Sequence, residues 1–147
     1  MAGFFYTMDR FLEKNGWKYS VDMEAYGVAC RMAKKVIFLE TIEEQIDVLE
    51  RISHKKIIDF LGWIDRWGEY AQEYAACYLD GDLKRLKSSR VGFLSRDSSV
   101  IDRRDTILYE RMVAYLEKGN TLAFVGAPHI QSIRDMLHAD GFRTTTC

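Results

Sequence analysis

The run KKVIFLETIEEQ, residues 34–45, decides how the rest of this 147-residue chain reads. Val36 to Leu39 are four consecutive apolar residues, rich in strand formers and without the alternation of a half-exposed strand. The pattern predicts a short strand buried on both faces. It stops at a carboxylate, Glu40. The following TIEE predicts a capping box, in which Thr41 accepts from the amide of Glu44 and the Glu44 side chain returns to the amide of Thr41. Upstream, Met23, Ala25, Tyr26, Ala29, Cys30 and Ala33 recur at helical spacing behind Asp22, a candidate N-cap. The local order is helix, buried strand, helix.

That order returns further along. Ser98 or Ser99 opens a helix to about Lys118 whose inner face carries Ile101, Leu108, Met112 and Tyr115, with Gly119 in the C′ role. TLAFVG, residues 121–126, predicts a second buried strand, and a helix follows from about Gln131 to Ala139. Gly141 ends that helix and FRTTT is a terminal strand candidate, with one more short strand at Val91 to Leu94. The predicted fold class is α/β: helix-rich, with few, mainly parallel strands and helices packed on the sheet. Two central strands and one terminal strand are few for such a sheet, so the expectation is part of a domain.

Between the two strands, Phe60, Trp63, Trp67, Tyr70, Tyr74 and Tyr78 step by three and four, which predicts one aromatic stripe on a long helix. Gly62 and Gly68 weaken that helix by up to about 1 kcal/mol each, and a bend is expected near Gly68. The stripe reads either as helix-packing core or as a groove for an extended peptide, anchored by Trp63 and Trp67. Asp82 is placed to cap a short helix running to about Lys87.

Lys+Arg total 21 and Asp+Glu 22, a formal net charge of −1 that makes no electrostatic case for nucleic acid or an anionic membrane. Three cysteines without a CxxC spacing argue against a disulfide framework or zinc knuckle and for reduced thiols. No apolar run approaches the roughly 20 residues of a membrane span. Asp9, Arg10, Glu13 and Lys14 interrupt any signal-peptide pattern, so the chain reads as soluble as given.

Ligands of open α/β sheets bind beyond the carboxyl ends of the strands. There the chain offers Glu40 and His129, one at the end of each apolar run. Gly126 permits close backbone approach or an unusual φ, and Pro128 suits the first turn of a helix. His129 then falls in that turn, where the helix dipole disfavours protonation. A neutral imidazole can bind a metal, donate a hydrogen bond or act as general base. It can equally be a capping or core histidine, and Glu40 can simply be an acid favourably placed before a helix. Arg104 and Arg111 flank Leu108, where they can orient a carboxylate, clamp a substrate carboxylate or oxyanion, or form structural ion pairs. His54 and His138 read as surface residues.

The stretches GVACRMAKKVIFLETIEEQIDVLERI, YLDGDLKRL and ILYERMVAYLEKGNTLAFVGAPHIQSIRDMLHADGFRTTT resemble, in order, the second half of the TraB/PrgY/GumN family. That family is related to the Tiki proteases and, more distantly, to erythromycin-esterase and ChaN-type proteins. The most specific pieces are LET with Gln45, and the Gly-x-x-His from Gly126 to His129. The resemblance implies a metal-dependent, peptidase-like hydrolase using a divalent Mn, Co or Zn ion, with a peptide or protein as substrate. It implies Glu40 as ligand or catalytic carboxylate, His129 as ligand, and Arg111 as the arginine of a Glu-Arg-Asn pattern. Met112 stands where that pattern has asparagine. The family's first Gly-x-x-His is absent, since no histidine precedes His54, so residues 1–147 are expected to be the C-terminal portion of one such domain. The remaining readings are a non-catalytic module binding peptide or small ligand, and an interaction piece that forms a homodimer.

Overall fold

A computed structural model describes residues 2–88 and 98–145, and over these the chain is helical. Its elements are α1 (Ala2–Lys14), α2 (Val21–Arg31), α3 (Ile42–Glu50), α4 (His54–Leu61), a 3-10 turn (Ile64–Arg66), α5 (Trp67–Leu79), α6 (Leu83–Ser88), α7 (Ser98–Glu117) and α8 (Ala127–Ala139). No strand occurs among the described residues, which corrects the α/β expectation. The two apolar runs have no regular structure and belong to no sheet among the described residues. A strand exists only through the hydrogen-bond ladder it shares with a neighbour, and neither run has one among the described residues. Phe38 is 74% exposed and Leu122 79%, the reverse of strands buried on both faces. Phe142 to Thr145 also form no regular structure, and the Val91 to Leu94 candidate lies outside the described residues.

The chain divides into two compact units, Met1–Gly68 and Glu69–Cys147. The first is organised by aromatic rings. Trp67, wholly buried, stacks on Phe60 with centroids 4.7 Å apart and meets the edge of Phe11 at 5.4 Å. Its indole N–H donates to the Phe60 carbonyl at 3.1 Å, so the buried polar atom of the ring is satisfied. Phe4, from α1, packs edge-on against Phe60, and Ile52 and Ile57 complete the core.

The single aromatic stripe does not form. α4 ends at Leu61 with Gly62 as C-cap, and the 3-10 turn re-aims the chain before α5 begins at Trp67. A side chain at Gly62 would meet the Asp59 carbonyl at 3.2 Å, so glycine permits this ending. The break comes at Gly62 rather than Gly68, and it parts Trp67 in the core from Trp63, which is 52% exposed.

Capping follows the sequence closely. The box at α3 is complete, with Glu44 N–H to Thr41 Oγ1 at 3.2 Å and Thr41 N–H to Glu44 Oε2 at 2.8 Å. Asp82 caps α6 by accepting from the Arg85 amide at 3.0 Å. The N-cap of α2 is Ser20, which places Asp22 in the first turn instead, favourable for a carboxylate near the dipole. α2 closes in a Schellman arrangement, Lys34 N–H to Ala29 O at 2.9 Å and Ala33 N–H to Cys30 O at 3.1 Å. Ala33 occupies the left-handed position, φ 49°, that glycine fills in the same arrangement after α8 at Gly141, φ 86°.

In the second unit α8 packs against α7 and α6. Leu108, Met112 and Ile133 are buried there with Leu86 and Cys77, and so are two polar residues, Asp105 and His129.

Candidate functional site

His129 is the third residue of α8. Gly126 is the N-cap, Pro128 stands in the first turn, and the His129 amide donates to the Gly126 carbonyl at 2.9 Å. Proline costs nothing there because that turn has no intrahelical use for its N–H. The expected strained glycine is not found: Gly126 has φ −59°, and a Cβ there would meet His129 Cδ2 at an ordinary 3.5 Å. α8 also begins at Ala127 rather than near Gln131.

The side chain of His129 turns onto α7, where Nδ1 lies 2.5 Å from Asp105 Oδ1. Both side chains are nearly closed to water, 8% and 4% exposed. An ionised carboxylate only accepts, so Nδ1 carries the proton and, in the neutral ring, Nε2 holds the lone pair. Nε2 has no hydrogen-bond partner among the described residues. Asp105 Oδ2 and Arg134 Nε are sealed and unpartnered. Arg134 is held through Nη2, which donates to Gln131 Oε1 at 2.8 Å.

One turn along α7 from Asp105, the Tyr109 hydroxyl donates to Asp140 Oδ2 at the C-cap of α8. That bond, reinforced by burial, pushes the Tyr109 hydroxyl up to about 12. α7 thus holds α8 near both ends with side chains four residues apart on one face.

The other sequence-derived positions are distributed over both compact units. Glu40, half-buried, and exposed Gln45 belong to the first compact unit, Glu40 ending the apolar run and Gln45 inside α3. Arg104 is half-buried and adjoins Asp105, whereas Arg111 is exposed. His54 is exposed at the start of α4, and exposed His138 pairs through Nε2 with the Thr144 hydroxyl.

Asp105 was missed by a reading that counted apolar residues. Ile101, Leu108, Met112 and Tyr115 leave a gap in their helical spacing, and position 105 fills it with an acid. A carboxylate on a core stripe is the signal that could have found it, since a buried charge needs a partner.

A buried imidazole whose Nδ1–H is held by a carboxylate is the form in which histidine serves as a metal ligand or proton carrier at Nε2. The donor chemistry therefore fits one ligand of a divalent ion. Among the described residues no three or more His, Cys, Asp or Glu side chains gather to hold such an ion. Nor is any helix of the described residues long and apolar enough to cross a membrane.

Compared with known proteins, the chain matches the model of the TraB/PrgY/gumN family over residues 1–146. No curated protein and no solved structure matches.

Proposed function

The chain belongs to the TraB/PrgY/gumN family, and on that footing we propose that it carries the histidine side of a metal-dependent, peptidase-like hydrolytic site. The observation that supports this is the buried pair of His129 and Asp105. Asp105 fixes the Nδ1–H tautomer and holds the ring, so that Nε2 is presented as a ligand. The family resemblance also implies a carboxylate role for Glu40, which belongs to the first compact unit. A divalent ion held there would lower the pKa of a bound water, so that a nucleophilic hydroxide would be available near neutral pH.

Arg104 takes the role that the sequence reading gave to Arg111. It is the half-buried of the two and directly precedes Asp105, which is isosteric with the asparagine of the family's Glu-Arg-Asn pattern. A guanidinium beside the reacting carbonyl stabilises the developing oxyanion.

The test measures binding of Mn, Co and Zn ions by calorimetry, and cleavage of a fluorogenic peptide library with each ion. Wild type is expected to bind one ion; His129→Ala loses that binding and any cleavage, and Asp105→Asn weakens metal binding by about 10–100-fold. Unchanged ion binding and cleavage in His129→Ala would refute the proposal. Peptide binding without turnover that survives His129→Ala would replace catalysis by a binding role.

A further inference from the structure

α2 is 11 residues long and has no buried residue. A helix shorter than about 12–15 residues is marginal in water and takes its stability from packing an apolar face, so α2 calls for a cover. Val21, Ala25, Val28 and Met32 step by four, three and four along it, the spacing of a coiled-coil seam. The three large side chains of that seam are 64%, 43% and 60% exposed. The seam points away from the run that follows the helix. Tyr26, which meets Phe38 there with ring centroids 6.0 Å apart, lies about 160° round the helix from Val28.

We propose that α2 is an interface with a second copy of this chain, the two helices packing antiparallel about a two-fold axis through Val21, Ala25, Val28 and Met32. Charge selects this occupant. Glu24 and Arg31 stand on one flank of the seam, and neither has an ion pair or side-chain hydrogen bond among the described residues. They are two turns apart, about 10 Å, and do not meet within one helix.

An antiparallel partner brings them together. Each flank of an antiparallel pair faces the same flank of the other helix. Setting Val21 on Met32 of the other copy, and Ala25 on its Val28, places Glu24 beside its Arg31. This register follows because Glu24 directly precedes Ala25, and Arg31 lies about one turn beyond Val28. The two-fold axis repeats each contact, so an ion pair borders the apolar layers at both ends. On the opposite flank Asp22 faces Ala29, and no like charges meet. A parallel pair would instead face Glu24 with Ala29 and leave both charges unmatched. α3 likewise has no buried residue, but it carries Glu43, Glu44, Asp47 and Glu50 without a base and would repel its own copy.

Sedimentation equilibrium of the full chain, at concentrations up to about 1 mM where a small interface still associates, tests this. Wild type is expected to dimerise, and Val28→Asp to stay monomeric throughout. Glu24→Lys or Arg31→Glu sets like charges opposite each other twice and weakens the dimer by about tenfold. The exchange Glu24→Arg with Arg31→Glu restores it. A monomeric wild type overturns the proposal and leaves α2 to a different partner. A dimer that survives Val28→Asp overturns it in favour of another surface. A dimer that either single reversal leaves unchanged, or that the exchange does not restore, overturns the antiparallel pairing. Circular dichroism confirms that each variant keeps its helices, and because metal and peptide play no part, the outcome is independent of the hydrolytic reading.

Discussion

Replacing Asp105 by asparagine removes one charge and leaves the shape of α7 untouched, so it isolates what the carboxylate does for His129. Oδ1 takes the imidazole Nδ1 at 2.5 Å between two nearly closed side chains. A hydrogen bond to a charged group contributes about 1.5–3 kcal/mol and a neutral one about 1 kcal/mol, so the exchange itself loses roughly 1 kcal/mol. The position of Oδ2 is sealed and unpartnered. An amide nitrogen there is a buried donor without an acceptor, costing a further 1 kcal/mol or so. If the amide turns its nitrogen to His129 instead, the ring must take the Nε2–H tautomer and lose its lone pair at Nε2. The expected total is about 2 kcal/mol. Urea denaturation of wild type, Asp105→Asn, His129→Gln and the double variant closes a thermodynamic cycle, and nitrogen NMR of the imidazole reports the tautomer. A coupling of at least about 1 kcal/mol with an Nδ1–H ring in wild type is expected. Additivity within about 0.5 kcal/mol, or a wild-type ring protonated at Nε2, would show that the pair is not what holds His129.

Three further outcomes follow from the same structure. Ala33→Gly relieves a left-handed alanine whose strain is about 1 kcal/mol, and raises the urea midpoint accordingly; a lowered midpoint would contradict the Schellman closure of α2. Trp67→Ala empties the centre of the first unit and costs about 3–5 kcal/mol, whereas Trp63→Ala changes stability by less than about 1 kcal/mol, read from paired denaturation curves. Tyr109→Phe removes the bond to Asp140 and lowers the urea midpoint at neutral pH. Because the folded hydroxyl titrates near 12, above its unfolded value of about 10, the contribution is full below pH 10 and disappears towards pH 12. The gap between wild type and variant should close over that interval, and a constant gap would contradict it.

What the sequence disclosed was local. The capping box at Thr41, the cap at Asp82, the limits of α7 and the place of Pro128 and His129 in a first turn all depend on contacts within a few residues. Strands were misjudged because an apolar run states a need for partners without supplying them. Val36 to Leu39 has strand chemistry and no ladder among the described residues. The aromatic stripe failed for a related reason: its periodicity assumed one axis, and the turn after Gly62 supplied a second. In the site, His129 was legible from its own neighbours, but Asp105 lies 24 residues away and becomes visible only when α7 and α8 pack.

The two bonds between α7 and α8 also bear on how this region breathes. Asp105 with His129 and Tyr109 with Asp140 tie the ends of α8 to a single turn of α7. Opening either end of α8 strands a buried polar group, so fraying from the termini is suppressed and the helix exchanges its amide hydrogens only when the pair opens together. The imidazole then keeps its orientation through every fluctuation short of that event, and the rate at which it is lost is the opening rate of a two-helix unit rather than that of a side chain.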